Sequence, residues 1–477
     1  MKSSTKDYIV KIVLFCAASS SAAFVILITL FLFFEGISAF ADPINFIFGT
    51  TWDPTNKNPS FGALPLIAGS LFVTFLAILI SLPIGLGCAL FISELIPKNA
   101  RRIVKPAVEL LAGIPSVVYG FFGLVILTEW ISVTFSKPSG ESWLAGSIIL
   151  AIMALPTIVS VSEDALNSVP REYKEGSLAL GSTRWQAIWR VALPSSLPGI
   201  TAAAVLGIGR AIGETMAVLM VTGNSAIIPK PLYNVFSPVR TITGTLAIEM
   251  GEVPQGSTHY HALFGLAILL FIIVFSINFT AHQITQFYKK RNFGDSKTKT
   301  KPIFEKTKKV FKYAFLCLIS VFAIYAFGIL TASILITLGI ALYFISRKMS
   351  AKGCEKIAFS LISASGFFVI LILGIVIFYL VSNGLGAITL DFVTEVPRRM
   401  GREGGIFPAI VGTLLLVAVA ISIALPIGIG AGVYLSEYSK DNGVTKLLRI
   451  FTDNLNGTPS IVFGLFGLAF FVLYLGF

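Results

Sequence analysis

The sequence predicts an all-α polytopic membrane protein. Three observations carry that expectation. The 477 residues are 55% hydrophobic and only 13% charged, a bias that a soluble core does not hide. Apolar runs near or above about 20 residues recur, each long enough for a helix to cross the hydrocarbon layer. The runs lack the alternation of a membrane β-barrel, and lipid offers an unpaired N–H or C=O no partner, so they are helices.

Taken in order, the first unit reads as six spans, at about 12–34, 66–93, 110–130, 144–162, 197–222 and 261–284. Lys2, Lys6 and Lys11 precede the first, and Ala39-Phe40-Ala41 has the look of a cleavage site. The run from Ile12 to Phe34 is longer than a signal-peptide core, so it reads as an uncleaved span. The positive-inside rule then places the N-terminus in the cytoplasm. The loop with Lys98, Arg101, Arg102 and Lys105, and the segment from Glu163 to Ser196, fall on that same side. Segments 35–64 and 223–260 fall outside.

A basic stretch with lysines and arginines from Lys289 to Lys312 follows and reads as a tether at the lipid headgroups. The apolar run from Tyr313 to Ile345 has basic residues at both ends, which suits two short helices turning near Gly328. Three more spans, at about 357–381, 408–436 and 453–475, complete the chain. The expected units are 1–65 (first span and external loop), 66–285 (first transmembrane domain) and 286–356 (linker and hairpin). They continue with 357–407 (a new first span and loop) and 408–477 (an incomplete second domain).

The net charge of +12 is spread between the apolar runs. That is an orientation signal rather than a nucleic-acid footprint, so no nucleic-acid partner is expected. Cys16, Cys88, Cys317 and Cys354 lie far apart, and no CxxC supports a disulfide framework or a zinc site. His259 and His261 flank a tyrosine, but His282, the remaining histidine, lies a full span away, so no metal and no cofactor is expected.

The most informative feature is a long-range repeat. GALPLIAGSLFVTFLAILISLPIGLGCALFISE, from Gly62 to Glu94, matches GIFPAIVGTLLLVAVAISIALPIGIGAGVYLSE, from Gly405 to Glu437, at an offset of 343. Pro65 pairs with Pro408, Gly69 with Gly412, Pro83 with Pro426 and Gly85 with Gly428. One inserted residue later, GIPSVVYGFFGL from Gly113 matches GTPSIVFGLFGL from Gly457. Apolar helices match by chance, but prolines kink helices and glycines let them approach, so a fixed offset in both residue types marks two copies of one bundle. Equal starting orientation makes this a parallel repeat enclosing a pathway. Nothing corresponds to residues 125–284 in the second copy, whose other half is expected from a continuation or a separate chain.

The segment 163–198 reads EDALNSVPREYKEGSLALGSTRWQAIWRVALPSSLP. Gly181 permits a sharp turn between two short helices. Trp185, Ile188 and Trp189 form an apolar patch at helical spacing, which marks a partner site or an interfacial helix lying on membrane lipid. The spacing of Glu175, Gly176, Ser177, Gly181, Val191, Leu193 and Pro194 resembles the cytoplasmic loop of ABC importer permeases. That pattern is Glu-Ala-Ala, three residues, Gly, nine residues, Ile, one residue, Leu-Pro. Gly176 and Ser177 replace alanines and Val191 replaces isoleucine. The resemblance implies the type I ABC importer transmembrane fold, and a loop that seats in a cleft of cytoplasmic ABC ATPase subunits.

Arg210 and Glu214 sit four residues apart in an apolar span, which places them on one helix face near the bilayer centre. They are either pathway residues or a structural ion pair. GRAIGETMAV, from Gly209, and the following Thr222-Gly223-Asn224 resemble the C-type permease subunit of phosphate ABC importers. That resemblance covers residues 1–290, whereas residues 357–477, with GGIFPAIVGT from Gly404, look like the first half of the A-type partner. It implies alternating access to inorganic phosphate, with an extracytoplasmic phosphate-binding protein and a second permease half as partners.

Pro115-Ser116 and Pro459-Ser460 read as helix kinks lining the gap between the units, or as gating elements. There is no GxxxxGK[ST] loop and no catalytic constellation, so ATP hydrolysis belongs to another subunit and no enzyme activity is expected. Two other readings stay open: an importer of another oxyanion (molybdate, tungstate or phosphonate), and a phosphate-sensing membrane scaffold. Arg398, Arg399 and Arg402, in a predicted external loop, either attract the anion or break the charge rule.

Overall fold

Proline and glycine decide where the helices stop and turn. The computed structural model describes residues 5–232, 234–293, 350–439, 442–474 and 476. The expected hairpin over Tyr313–Ile345 and the linker beyond residue 293 lie outside them.

The chain opens with α1 (Thr5–Gly36) and α2 (Pro43–Phe48), then a two-residue ribbon pairing Trp52-Asp53 with Ser60-Phe61. Next come α3 (Leu64–Leu90), α4 (Lys98–Gly113), α5 (Ser116–Phe122), α6 (Thr128–Phe135) and α7 (Trp143–Asn167). Two short helices, α8 (Arg171–Ala179) and α9 (Arg184–Ala187), lead into α10 (Leu193–Gly213), α11 (Met216–Val221), α12 (Ile242–Glu249) and α13 (Thr258–Phe293). The second unit holds α14 (Ala351–Gly384), α15 (Leu390–Thr394), α16 (Phe407–Val433), α17 (Gly443–Gly457) and α18 (Ser460–Phe466). Among the described residues, eight helical segments are long and apolar enough to cross a membrane.

The structure corrects several sequence boundaries. The expected spans 110–130 and 453–475 are each broken, at Ile114-Pro115 and Thr458-Pro459. A residue before proline is pushed out of the helical region, and Ile114 and Thr458 are extended, with ψ 126° and 130°. The expected span 197–222 breaks after Gly213, where Glu214 is extended at ψ 135°. Helix α13 runs through Phe293, so the start of the expected tether is helical. Helix α14 starts inside the expected linker because the Ser350 side chain caps it, accepting from the Gly353 N–H at 3.2 Å.

The repeat reappears in the backbone. Helices α3 and α16 share bounds at the offset of 343, and each runs into a wider π-helical turn, Phe91–Leu95 and Tyr434–Tyr438. After the inserted residue, α5 and α18 start at Ser116 and Ser460.

Helix α7 is the axis of the first unit. Ile149, Leu150, Met153, Leu155 and Ile158 are all buried, packed between α3 and α10. Gly85 makes this possible, since a Cβ there would stand 2.7 Å from Ile158 Cγ2. In lipid such close backbone approach replaces the hydrophobic drive of a soluble core.

The first span of each unit reaches the other: α14 packs on the first unit, and α1 packs on α13 of its own unit and on α16. Helix α14 lies in the first unit's core through Ile362, Val369 and Val376, against α3 and α4. A Cβ on Gly87 of α3 would stand 2.3 Å from Ser365 Oγ of α14. Helix α1 answers on the other side, where Ala18 and Ala22 pack with Ala431 and Leu448. Gly430, the repeat partner of Gly87, would carry a Cβ 3.0 Å from Ala17 Cβ. The remainder of α16, including Leu414, Leu416, Val419 and Ile423, faces outward.

Buried charge staples the bundle. Glu163 of α7 is fully buried and pairs with Arg101 and with Lys105, the latter at 2.8 Å. Asn167 donates to the same carboxylate at 2.6 Å, and Lys105 reaches Asp164 at 2.8 Å. Burial works to lower the Lys105 pKa, but hydrogen bonds to Asp164 and Glu163 outweigh it and hold the lysine above its ordinary value. At the opposite end Glu249 gathers Arg240 at 2.7 Å, His259 at 2.8 Å and the Trp52 indole N–H at 3.1 Å. His261 Nδ1 lies 2.7 Å from the Glu35 carbonyl oxygen. Arg398 and Arg399 pair locally with Glu395 and Glu403, at 2.9 and 2.7 Å.

Candidate functional site: a cavity between the units and a helix pair at one end

A cavity of about 930 Å³ opens between the two units. The first unit lines it with Pro115 and Ser116 at the start of α5, Thr157 of α7, and Arg210 and Glu214 at the end of α10. Helix α13 adds Phe275, Asn278 and Gln283, and the second unit adds Ile450, Thr458, Pro459 and Ser460. The broken spans explain this arrangement. Each X–Pro step swings the chain out of its helix and restarts it at a serine, so the two Pro-Ser pairs meet the same space.

Arg210 occupies the last turn of α10. Among the described residues it forms no ion pair, and Glu214 lies beyond the 4.0 Å that would make one. The shared helix face expected for the two is therefore corrected: Gly213 ends the helix between them, and Glu214 leaves it in extended conformation. Glu214 instead ties down the next segment. Its carbonyl accepts from Thr243 Oγ1 at 2.8 Å, and Oε1 lies 3.5 Å from the Ala217 N–H. Gly209, beside Arg210, has no neighbour that a Cβ would meet, so the wall is open there. Thr222-Gly223-Asn224 forms a turn below α11, with Gly223 at φ +75° and Arg240 donating to the Asn224 carbonyl at 2.9 Å.

The 163–198 segment folds at one end of the bundle as α8, a turn and α9, continuous with α10 through a π-helical turn at Ile188–Ala192. Gly181 holds the turn at φ +85°, in the left-handed region that side chains avoid. Ser177 and Ser182 close it, with hydroxyls 2.8 Å apart. Thr183 and Gln186 form a capping box that starts α9. Lys174 pairs with Glu94 at the end of α3, and Arg184 donates to the Glu94 carbonyl at 3.1 Å.

The predicted apolar patch is corrected in part. Ile188 is buried, and Trp185 is half-buried against the core. Trp189 is exposed, together with Tyr173, Leu178 and Leu180. The outward apolar surface thus comes from both short helices and the turn between them. Glu175 and Gly176 are exposed, Ser177 and Val191 half-buried, and Leu193 and Pro194 lead into α10.

Sequence reasoning missed Thr157, Asn278 and Gln283 as cavity-lining residues. Asn278 had a readable signal, a polar residue inside the apolar run of α13.

Helices long and apolar enough to cross a membrane, arranged around a cavity that holds Arg210 and Glu214 and with a helix pair held out at one end, define a multi-span membrane permease. The family of binding-protein-dependent transport system inner membrane components matches residues 81–293. A probable ABC transporter permease protein, YqgH of Bacillus subtilis, is 42% identical over 268 residues, covering 55% of this chain and 85% of that one. The phosphate transport system permease protein PstC of Mesorhizobium japonicum is 37% identical over 262 residues, covering 51% and 78%. Its namesake in Pasteurella multocida is 38% identical over 248 residues, covering 48% and 75%. An inward-facing structure of the MetNI methionine ABC transporter aligns with 48% of this chain and 94% of its own, at 22% identity and TM-score 0.36. The chain belongs to the family of binding-protein-dependent transport system inner membrane components, and it is a membrane permease of an ABC importer.

Proposed function

We propose that this permease carries inorganic phosphate through the cavity between its two units. The observation that carries the reading is Arg210, a cation facing a membrane-embedded cavity with no ion-pair partner among the described residues. An uncompensated charge at that depth is costly and is held for a task. Ser116, Ser460, Thr157 and Asn278 share the wall and supply hydrogen-bond donors to phosphate oxygens. The names of the Mesorhizobium and Pasteurella relatives point to the same anion.

In this reading the N-terminus is cytoplasmic, and the α8–α9 pair is the coupling loop that seats on a cytoplasmic ABC ATPase subunit. Trp189, Leu180, Leu178 and Tyr173 form the apolar contact. An extracytoplasmic phosphate-binding protein delivers the anion at the Glu249 end. ATP binding to the ATPase moves the loop, and the two Pro-Ser junctions part as the units rock. The second unit plays the A-type role.

Purified complex in liposomes, with binding protein outside and ATP reaching the ATPase, should accumulate phosphate. Arg210→Ala should lower uptake by about tenfold or more at normal protein levels. Unchanged uptake in Arg210→Ala would remove the pathway role of this residue. A wild-type complex that hydrolyses ATP but accumulates no phosphate would overturn the reading itself.

A further inference from the structure

The coupling loop of the first unit touches the second unit directly, through one aromatic ring. Phe359 lies two turns into α14, the span the second unit lends to the first bundle. The Arg184 guanidinium sits over the Phe359 ring, 6.0 Å from its centroid. Trp185 meets the same ring edge-on, with centroids 6.4 Å apart and planes at 89°. Trp185 in turn leans on Trp189, whose ring is 5.6 Å away and exposed. An unbroken aromatic line thus runs from the loop surface to the second unit's first span.

Helix α14 is anchored further along by close packing. A Cβ on Gly366 would stand 2.3 Å from the Phe91 ring, and the Phe367 ring lies tilted against it with centroids 5.8 Å apart. Phe91 begins the π-helical turn that carries Glu94. Glu94 also holds the loop, through Lys174 and Arg184. Arg184 therefore bridges both units, with one nitrogen on the Glu94 carbonyl and its face on Phe359. Loop, α3 end and α14 form one mechanical joint.

We infer that Phe359 is a positioning residue for coupling: it makes displacement of the first unit's loop move the second unit as well. The inference rests on the importer reading above. A loop tied only to its own bundle would rock one wall of the cavity. Tied to α14, it moves both, which is what opening between Pro115 and Pro459 requires. Cation–π and edge-to-face contacts suit the task because they tolerate sliding while resisting separation.

The test uses the full complex in liposomes, with inorganic phosphate as probe and molybdate in a parallel arm, and reads anion accumulated per ATP hydrolysed. Phe359→Ala should keep ATP hydrolysis within about twofold of wild type and lower the ratio about fivefold. Phe359→Tyr should restore it, because the ring is kept. Trp185→Leu, on the loop side, should lower the ratio in the same way. A wild-type ratio in Phe359→Ala, or hydrolysis and uptake falling in equal proportion, overturns the proposal. A wild-type complex that takes up molybdate rather than phosphate overturns the substrate reading alone, since the ratio is still read with that anion.

Discussion

Gly213 of the first unit faces Pro459 of the second so closely that a Cβ on Gly213 would stand 3.2 Å from the proline Cα and 3.3 Å from its Cβ. The contact joins the end of α10 to the start of α18 at the edge of the cavity. A side chain here has to push one unit away from the other. Gly213→Ala should be tolerated with a small loss of stability. Gly213→Leu should overpack the joint by about 1–3 kcal/mol, lower the thermal midpoint of the purified chain and abolish uptake. Normal uptake in Gly213→Leu would show that the units need not meet there.

Arg210 and Glu214 line the same cavity without forming an ion pair. A double-mutant cycle on thermal stability, with Arg210→Gln and Glu214→Gln, should give an interaction energy below about 0.5 kcal/mol. Transport should respond unequally. Arg210→Lys should keep part of the uptake, since charge is kept and the planar fork lost. A coupling energy above about 1 kcal/mol would restore the ion pair to the account.

Gly181 carries its turn at φ +85° with nothing within 4 Å of a built Cβ, so its cost of substitution is backbone strain alone. Gly181→Ala should cost about 1 kcal/mol locally and leave the bundle intact. Gly181→Asp should leave the complex assembled or weakened while transport stops. Binding-protein-stimulated ATP hydrolysis in liposomes checks this, and stimulation at the wild-type level would count against the docking role.

Glu163 holds two cations from a fully buried position. Glu163→Ala leaves Arg101 and Lys105 without their buried carboxylate and should destabilise the fold by about 2–4 kcal/mol. Glu163→Gln keeps the shape and some hydrogen bonds and should fall between. Thermal unfolding in detergent reads the difference. Equal midpoints for wild type and Glu163→Ala would mean the cluster is solvated at no cost.

Much of the architecture was legible in the sequence because its signals are local. Pro115 and Pro459 lack the N–H that a helix interior needs and restrict the residue before them, and Gly181 permits a left-handed turn in any surroundings. The offset of 343 predicted matching helices, and α3 and α16 share their bounds at that offset. The same local reading failed where two signals competed. Apolar continuity across 110–130 and 197–222 suggested unbroken spans, while X–Pro geometry at Ile114 and the end of α10 at Gly213 divided them.

The candidate site was half legible. Arg210, Glu214 and the two Pro-Ser pairs were picked out as residue types, and they line one cavity. Spacing alone put Arg210 and Glu214 on one face, because Gly213, which ends the helix between them, is one of several glycines in the run and the others stay helical. Trp185, Ile188 and Trp189 looked equivalent by periodicity, but tertiary packing buried Ile188 and sent Trp185 to Phe359. No motif marks Phe359, whose role depends on a helix more than 170 positions away in the chain.

By itself the sequence determined that this is a helical membrane protein, with a long-range repeat of prolines and glycines and two short helices turning at Gly181 between spans. Those features depend on backbone chemistry and on the intolerance of lipid for unpaired polar groups, which act at each residue separately. Only the tertiary structure decided that α14 packs on the first unit while α1 bridges α13 and α16, that Gly87 and Gly430 receive them, and that Arg210 meets open space instead of Glu214. Helices that are apolar all round carry little record of which face meets which neighbour, so that choice emerges from close packing between distant segments.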